Sequence, residues 1–264
     1  MKPVLRYPGA KWNLAEWIIS FLPSHTTYLE PFFGSGAVFF NKRPSEIETI
    51  NDISGGIVNL FRTIRDNPKE IAALVYMTPW ARAEYEGSYK MTGEPLEDAR
   101  LFLIRCWQAH ASDTSKEVGW RSMIKKSGGS RVHLWNRLPE RILATAERLR
   151  QAQIEHGAAV EIIKRYNTES VLIYADPPYP IKTRTGGLYA HEMTDADHIE
   201  LLDALDAHPG SVILSGYACD LYDNRLQHWH RETRKAQAEK GQARTELLWI
   251  NPMAAKNVQG RLFT

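Results

Sequence analysis

The run Asp176-Pro177-Pro178-Tyr179 directly follows an apolar stretch at residues 171–175. Two consecutive prolines end a strand and stiffen the turn, because each ring fixes φ and removes a backbone donor. Ending a strand requires neither the carboxylate before the prolines nor the ring after them. An exocyclic amine is a weak nucleophile, and the Asp176 carboxylate with the Pro177 carbonyl would accept its protons and stabilise the charge that develops on nitrogen. Since Tyr179 could also stack on a base that has left the duplex, these residues suit methyl transfer to a base amine.

Residues 30–36 suit the binding of a nucleoside that carries positive charge. Gly34 and Gly36 let the backbone turn sharply and approach a ligand closely at the carboxyl edge of a sheet. The carboxylate of Glu30 would repel a pyrophosphate but attract a cation. Asp52 stands 18 residues after Gly34, at the end of the next predicted strand, where doubly wound folds bind ribose hydroxyls. A cationic nucleoside without phosphate describes S-adenosylmethionine, a methyl donor.

Each of these motifs, taken singly, leaves alternatives. A nicotinamide cofactor is disfavoured because Phe39 replaces the third glycine of the G-x-G-x-x-G motif. Glu30 or Asp52 alone would also be compatible with a helix cap or a surface carboxylate. In the N-terminal turn, Lys11 could pair with a ligand carboxylate and Tyr7 could pack on its aliphatic part, although a loop without a ligand would look the same.

The cysteines and histidines argue against several other chemistries. Cys106 and Cys219 are far apart in the sequence and form no C-x-x-C pair, which disfavours a disulfide framework and fits a reducing cytosol. Neither follows a proline, which excludes the cysteine-nucleophile chemistry of cytosine C5 methylation. The nine histidines show no H-x-x-x-H or H-E-x-x-H spacing, so we expect no metal site.

The charge pattern favours local contact with a polyanion. Net charge is only +2, but residues 116–137 carry six Lys or Arg against one acid, and residues 225–244 carry six against two. Either segment could equally be a solvated loop or helix face. No apolar run approaches the ~18 residues of a membrane span, and the N-terminus has no signal-peptide core. We therefore expect a cytoplasmic protein with no membrane partner.

An α/β sheet must place these residues. Continuous apolar runs indicate parallel strands that are covered on both faces. Strands are predicted at 26–30, 46–52, 152–156, 171–175 and 211–215, with a closing antiparallel pair at 229–236 and 244–252. Helices are predicted after the glycine turn and at 53–74, 158–166, 195–208 and 220–226. The pattern changes from residue 75 to 150, where helices at 82–90, 96–110 and 139–151 flank a polar Gly/Ser-rich loop.

The order of the motifs resembles that of the Dam-type, D12-class DNA adenine-N6 methyltransferases. RYPGAK (6–11), EPFFGSG (30–36), ND (51–52), the insert and DPPY (176–179) follow one another as in that family. The segments HEMTDADHIELL, VILSGY and RTELLWIN also look like its short phage and prophage members, so the resemblance covers nearly the whole chain. It implies a doubly wound, Rossmann-like methyltransferase sheet in residues 1–74 and 151–264, interrupted by a helical target-recognition domain at 75–150.

The resemblance also implies roles for individual residues. The contacts to S-adenosylmethionine would be Tyr7, Lys11, Glu30, Phe32, Gly34, Ser35, Gly36, Asp52 and Asp176. The catalytic turn that holds a flipped adenine would be Asp176, Pro177, Pro178 and Tyr179. Two departures stand out. Ala10 replaces a glycine that is usual in the first motif of the family. Residues 157–159, after the third predicted strand, lack the polar residue that the family often has at this place, so a contact from this loop to the cofactor adenine is in doubt.

The insert would bind double-stranded DNA. Arg and Lys can contact phosphates, Arg can read guanine, and Asn can read adenine edges. The candidate DNA contacts are Trp120, Arg121, Lys125, Lys126, Arg131 and Asn136. Trp107 is expected in the core, and the basic segment between the last two strands could also touch DNA. The N-R-x-x-x-N-G-like signature of GATC-specific members is missing, so the resemblance does not imply that recognition site, and base recognition could be weak.

Two functional alternatives and one possible partner stay open. Cytosine N4 is also an exocyclic amine, so the same acceptors would serve its methylation. A DNA-binding protein with a degenerate methyltransferase fold would bind no cofactor, although the intact Glu30, Asp52 and DPPY set disfavours it. A restriction endonuclease could act in the same restriction-modification system as a partner but not as a subunit.

Overall fold

The computed structural model describes residues 1–110, 116–122, 131–184, 189–237 and 243–256. Its strands are β1 (Thr27–Glu30), β2 (Ile47–Asn51), β3 (Ala152–Glu155), β4 (Val171–Ala175), β5 (Ser211–Gly216), β6 (His230–Gln237) and β7 (Ala243–Ile250). They form one sheet in the order β3-β2-β1-β4-β5-β7-β6. The first five in this order are parallel to one another, whereas β7 is antiparallel to β5 and β6. The predicted parallel core and antiparallel closing pair are confirmed.

Helices cover both faces of this sheet. They are α1 (Ala15–Ser20), α2 (Gly55–Asp66), α3 (Pro68–Met77), α4 (Arg82–Gly87), α5 (Pro95–Gln108), α6 (Arg131–Asn136), α7 (Leu138–Leu149), α8 (Ala159–Arg165), α9 (Asp195–Asp206) and α10 (Asp220–Arg225). Apolar residues of α1, α2, α5 and α7 share one buried cluster with Tyr28, Ile50 and Tyr174 of the sheet. Residues of α8, α9 and α10 share a second cluster with Leu29 and Ile173, whose side chains point to the other face. The fold is therefore doubly wound α/β, as predicted.

The start of α9 shows how local sequence ends a loop and begins a helix. The backbone N–H of Asp197 donates to Thr194 Oγ1 at 3.2 Å, and the Asp197 carboxylate accepts the N–H of Thr194 at 2.8 Å. This capping box satisfies two of the donors that a helix N-terminus leaves without partners. It fixes where α9 begins, directly after a segment that reaches the candidate site.

Two predicted helices differ from the structure. Residues 36–42 form turns rather than an α-helix, although the N–H of Phe40 still donates to the Gly36 carbonyl at 2.9 Å. Here Phe33, Phe39 and Phe40 pack edge-on against one another, so aromatic packing replaces a regular helix. The helix predicted at 53–74 is two helices, because Pro68 starts α3 and cannot continue the hydrogen-bond ladder of α2.

The predicted insert lies within the crossover from β2 to β3. The helices predicted at 82–90, 96–110 and 139–151 correspond to α4, α5 and α7, but α6 lies inside the stretch predicted as a loop. Trp135 of α6 is buried, and its indole N–H donates to the Thr78 carbonyl at 2.8 Å. Trp107 of α5 is buried as predicted and donates to the Val4 carbonyl at 2.9 Å. The insert helices therefore pack on the same apolar cluster as the sheet, and the boundary at 75–150 stays a prediction.

Across the ranges given above, no helix has both the length and the apolar character needed to cross a bilayer.

Candidate active site

A cavity of about 610 Å³ opens at the carboxyl ends of β1, β2 and β4. The strand order reverses between β1 and β4, and ligands of open α/β sheets bind at such a switch point. The walls are the N-terminal loop, the chain that follows each of these three strands, the loop between β3 and α8, and residues 189–193. The predicted site residues that line the cavity are Tyr7, Lys11, Glu30, Phe32, Gly34, Ser35, Asp52, Asp176 and Pro178.

Lys11 and Asp176 form an ion pair in the cavity wall. Lys11 Nζ lies 3.0 Å from Asp176 Oδ1, and the two side chains are 7% and 18% exposed. The same ammonium group donates to the Gly9 carbonyl at 2.7 Å. Burial lowers the Lys11 pKa, but the carboxylates of Asp176 and Glu246 outweigh that effect and hold the pKa above its ordinary value. A charged Lys11 therefore orients Asp176 by holding one of its oxygens.

Glu30 is a buried acid at the end of β1. Burial raises the Glu30 pKa to about 8, and the nearby charge of Asp176 adds to this shift. The Tyr28 hydroxyl donates to Glu30 Oε2 at 2.6 Å and opposes the shift. The raised pKa favours the neutral form of Glu30. A cationic group brought against it would favour the ionised form, because opposite charges lower a carboxyl pKa.

Asp52 joins the two loops that follow β1 and β2. Its Oδ2 accepts the N–H of Gly34 at 2.8 Å and its Oδ1 accepts the N–H of Ser54 at 2.9 Å. Burial raises the Asp52 pKa, and these two backbone donors oppose the shift. Each carboxylate oxygen has a further lone pair, so Asp52 can accept ribose hydroxyls while it keeps both backbone bonds.

The two glycines of the predicted cofactor motif have different surroundings. Gly34 lines the cavity with φ +51°, and a Cβ placed on it would lie 3.5 Å from the Tyr7 ring. Gly36 has φ +67°, and a Cβ there would lie 2.4 Å from the Phe33 ring. Among the described residues, Gly36 is not part of the cavity wall. Gly36 therefore shapes the turn, whereas Gly34 faces the ligand space.

Asn51 is a site residue whose role the sequence did not reveal. Its side-chain amide donates to the Pro31 carbonyl at 2.9 Å and to the Gly157 carbonyl at 3.0 Å. Its Oδ1 accepts the Gly157 N–H at 3.0 Å. The ND motif marked the position, but only the adjacency of β1, β2 and β3 shows that Asn51 links three loops. The loop at 157–159, which departs from the family pattern, does line the cavity.

Tyr179 lies behind the cavity rather than in its described wall. Its ring is 7% exposed and contacts the Tyr217 ring edge-on, with centroids 4.6 Å apart. Its hydroxyl donates to Glu246 Oε2 at 2.9 Å. Pro177 is likewise outside the described cavity wall, whereas Asp176 and Pro178 belong to it. Glu246 and Tyr217 are the residues of this region that sequence reasoning missed.

The predicted DNA contacts divide into two groups. The Trp120 indole donates to Gln108 Oε1 at 3.1 Å, and Arg121 Nε donates to the Ala109 carbonyl at 3.0 Å, so both stabilise the insert itself. On α6, Arg131 is half-buried and Asn136 is exposed. Lys125 and Lys126 lie outside the described residues. DNA contact by any of these residues stays a prediction.

Within the described ranges, no three His, Cys, Asp or Glu side chains come together as a group that could hold a metal ion.

Comparison with known families fits this geometry. The model of the D12 class N6 adenine-specific DNA methyltransferases matches residues 7–240. The chain belongs to this family. The match extends from the N-terminal loop through DPPY to a point just beyond β6, so it includes the described walls of the cavity.

Individual relatives and solved structures are similar to this chain at 32% identity or less. A type II methyltransferase of Lactococcus lactis subsp. cremoris is 32% identical over 28% of this chain and 26% of its own length. A DNA adenine methylase of Vibrio cholerae is 26% identical over 68% of this chain and 66% of its own length. A type II methyltransferase of a Paramecium bursaria Chlorella virus is 25% identical over 68% of this chain and 69% of its own length. A putative methyltransferase, yhhF, from Escherichia coli is 13% identical, covers 94% of this chain and 91% of its own, and has a TM-score of 0.36.

Proposed function

We propose that this protein transfers a methyl group from S-adenosylmethionine to the N6 amine of adenine in double-stranded DNA. One observation carries the proposal. The Asp176 carboxylate, at the start of a turn made rigid by two prolines, lines the same cavity as Glu30 and Asp52. An acceptor for an amine and acids suited to a cationic nucleoside therefore share one space. Membership of the D12 class supports adenine as the base.

The residues present fit S-adenosylmethionine. The cavity volume of about 610 Å³ lies within the roughly 300–1,000 Å³ of small-molecule sites. Glu30 would hold the cationic methionine end and Asp52 the ribose hydroxyls, and both are acids at strand ends. Gly34 would allow close approach of the ligand to the backbone, and Tyr7 would pack on its aliphatic part. When bound, S-adenosylmethionine supplies an electrophilic methyl group on a sulfonium.

The chain's own residues would prepare the amine. Asp176 would accept an N–H of the adenine amine, and the Pro177 carbonyl would accept the other. These acceptors stabilise the positive charge that develops on nitrogen as its lone pair is used. Lys11 holds Asp176 in place through the 3.0 Å contact, so the acceptor does not have to be ordered during the reaction. The adenine must leave the duplex to reach this position.

The insert would supply DNA contacts, through Arg131 and Asn136 of α6 and through Lys125 and Lys126. A restriction endonuclease of the same system would be a functional partner rather than a subunit. We propose that the protein acts in the cytoplasm, where bacterial and phage DNA is modified, and that it uses no metal or membrane partner. The family match and the DNA adenine methylase among its relatives support DNA as the substrate.

Mass spectrometry of the modified nucleosides tests the proposal. The protein is incubated with double-stranded DNA and methyl-labelled S-adenosylmethionine, and the DNA is digested to nucleosides. Labelled N6-methyladenine is the expected product. N4-methylcytosine instead would overturn the choice of base, and an unlabelled digest would overturn the activity. In the second case, calorimetric titration with S-adenosylmethionine identifies an inactive DNA-binding protein by the lack of binding heat.

A further inference from the structure

Glu246 is a buried carboxyl group that the proposed reaction does not yet use. It lies on β7, is 8% exposed, and accepts the Tyr179 hydroxyl at 2.9 Å. Acidic side chains are seldom buried without partners, because removing them from water is costly. The strand that carries Glu246 is antiparallel to the core strands and lies far along the chain from DPPY.

Glu246 has two further partners in the same region. The Tyr217 side chain, at the end of β5, also hydrogen-bonds it. The Lys11 ammonium is close enough for its charge to act on Glu246, and each group shifts the pKa of the other toward its charged form. Burial is the larger effect on Glu246 and raises its pKa. Lys11 is therefore paired with Asp176 and is also within electrostatic reach of Glu246.

The Tyr179 side chain is held from several sides by these groups. Its hydroxyl is bonded to Glu246, its ring edge meets Tyr217 at a 77° interplanar angle, and Lys11 Nζ lies 4.7 Å from its ring centroid. The Asp-Pro-Pro-Tyr turn is thus tied to β7 at one end and to the N-terminal loop at the other. The prolines make the turn rigid, and these contacts connect the rigid turn to two other segments of the chain.

We propose that Glu246 is a positioning residue for methyl transfer, acting through Tyr179 and Lys11 on the acceptor Asp176. The proposal rests on the proposed function. Its physical basis is a chain of contacts: Glu246 accepts the Tyr179 hydroxyl at 2.9 Å, the Tyr179 ring centroid lies 4.7 Å from Lys11 Nζ, and Lys11 Nζ lies 3.0 Å from Asp176 Oδ1. Without the Glu246 carboxyl group, the Tyr179 side chain would lose the bond that holds its ring against Lys11, the residue that orients Asp176. The Tyr179 hydroxyl would also lose a charge-assisted bond, which is stronger than a bond to a neutral acceptor.

Glu246→Gln is the direct test, because glutamine keeps the volume and an acceptor oxygen but removes the charge. The single-turnover methylation rate is measured over a pH series that extends to alkaline values, because burial raises the Glu246 pKa, on a duplex whose methylated adenine has been mapped. We expect the rate to fall by roughly 10²-fold, the scale of a small misplacement of reacting groups. The Kd for S-adenosylmethionine should change little, since Glu246 is not part of the described cavity wall. Loss of a buried charge partner lowers the thermal unfolding midpoint, so the rates are compared at a temperature well below the midpoints of both proteins.

Glu232→Gln is the matched control. Glu232 lies on the neighbouring strand β6 and pairs with Leu248, which is two residues from Glu246 on β7, so the two acids point to the same face of the sheet. Its Oε1 lies 2.7 Å from His230 Nε2. Glu232→Gln should leave the rate, the Kd and the unfolding midpoint at their wild-type values.

Tyr179→Phe is a second test, because it removes the hydrogen bond to Glu246 by deleting the donor hydroxyl. The rate loss of the double variant should be smaller than the product of the two single losses, because both remove one interaction.

The outcomes separate this inference from the proposed function. A wild-type protein that transfers no methyl group overturns the function. An active wild type with a normal rate in Glu246→Gln overturns the positioning role alone. A parallel loss of rate, cofactor binding and unfolding midpoint would show that Glu246 only stabilises the fold. If Glu246→Gln does not fold, Tyr179→Phe decides, since a normal rate in that variant overturns the role.

Discussion

Lys11 Nζ and Asp176 Oδ1 lie 3.0 Å apart, which joins the N-terminal loop to the turn after β4. The side chains come from opposite parts of the chain, and both are largely removed from solvent. The proposed amine acceptor is therefore oriented by a residue from a different segment of the chain, the N-terminal loop. The variants below test this arrangement and the elements that support it.

Asp176→Ala should abolish methyl transfer while DNA binding stays largely intact. The variant removes the acceptor for the amine proton, and loss of one preorganised electrostatic group costs about 10²-fold or more in rate. Incorporation of labelled methyl groups into DNA and a gel-shift titration measure the two effects. Wild-type incorporation in the variant would show that Asp176 does not act on the amine.

Glu30 should make stability depend on pH. Its folded-state pKa of about 8 lies above the ordinary value of 4.5, so between these values the folded protein keeps a proton that the unfolded chain has lost. The contribution of Glu30 to stability is thus present at low pH and is lost as pH rises toward 8. Glu30→Gln cannot ionise. The free energy of unfolding of Glu30→Gln minus that of the wild type should rise with pH up to about 8 and then level off. Denaturant titrations measure both values, and a difference that does not change with pH would contradict the burial effect.

Gly36→Ala and Gly34→Ala should separate folding from ligand binding. Both glycines have positive φ, but a Cβ at Gly36 meets the Phe33 ring at 2.4 Å, whereas at Gly34 it meets Tyr7 at 3.5 Å. Gly36→Ala should lower the free energy of unfolding by about 2 kcal/mol or more. Gly34→Ala should cost less stability but weaken S-adenosylmethionine binding in calorimetry. Equal stability losses would show that the packing around Gly36 gives way.

Glu48→Gln should destabilise the fold strongly. Glu48 is 2% exposed and accepts from Lys42 and from Arg148, the latter at 2.8 Å to Oε1. Removing one member of a buried charge group leaves the others unpaired, at a cost of about 3–5 kcal/mol. The exposed pair Glu147–Arg150 supplies the control, and Glu147→Gln should change stability by less than about 1 kcal/mol. Denaturant titrations of both variants measure the difference, and similar values would refute the role of Glu48.

Arg131→Ala and Arg121→Ala should affect DNA binding and stability in opposite proportions. Arg131 is on α6 in the predicted recognition segment, whereas Arg121 donates to the carbonyls of Ala109 and His110. Arg131→Ala should weaken DNA binding and reduce its salt dependence by about one counterion. Arg121→Ala should lower the unfolding midpoint. Unchanged DNA affinity in Arg131→Ala, measured by fluorescence anisotropy at two salt concentrations, would remove α6 from the DNA interface.

The motifs with local signals were predictable from the chain. Apolar runs ending in Glu30, Asp52 and Asp176 predicted parallel strands with acids at one sheet edge, and the structure has all three lining one cavity. The break at Pro68 is also a local signal, but the single helix predicted at 53–74 missed it. Such features depend on backbone preferences and on periodicity, which a few consecutive residues express.

Features that depend on distant contacts could not be read in this way. The sequence around Glu246 predicts only a strand. Its hydrogen bond with Tyr179 forms because β7 lies between β5 and β6 in the sheet, which the local sequence does not specify. The turns at residues 36–42 replaced a helix because aromatic rings from separate segments pack there. Helix α6 likewise forms in a stretch predicted as a polar loop, where Trp135 is buried and donates to the Thr78 carbonyl. Sequence periodicity specifies which residues face inward, but the partner that each one meets is set by packing of the whole chain, where burial makes every unpaired polar group costly.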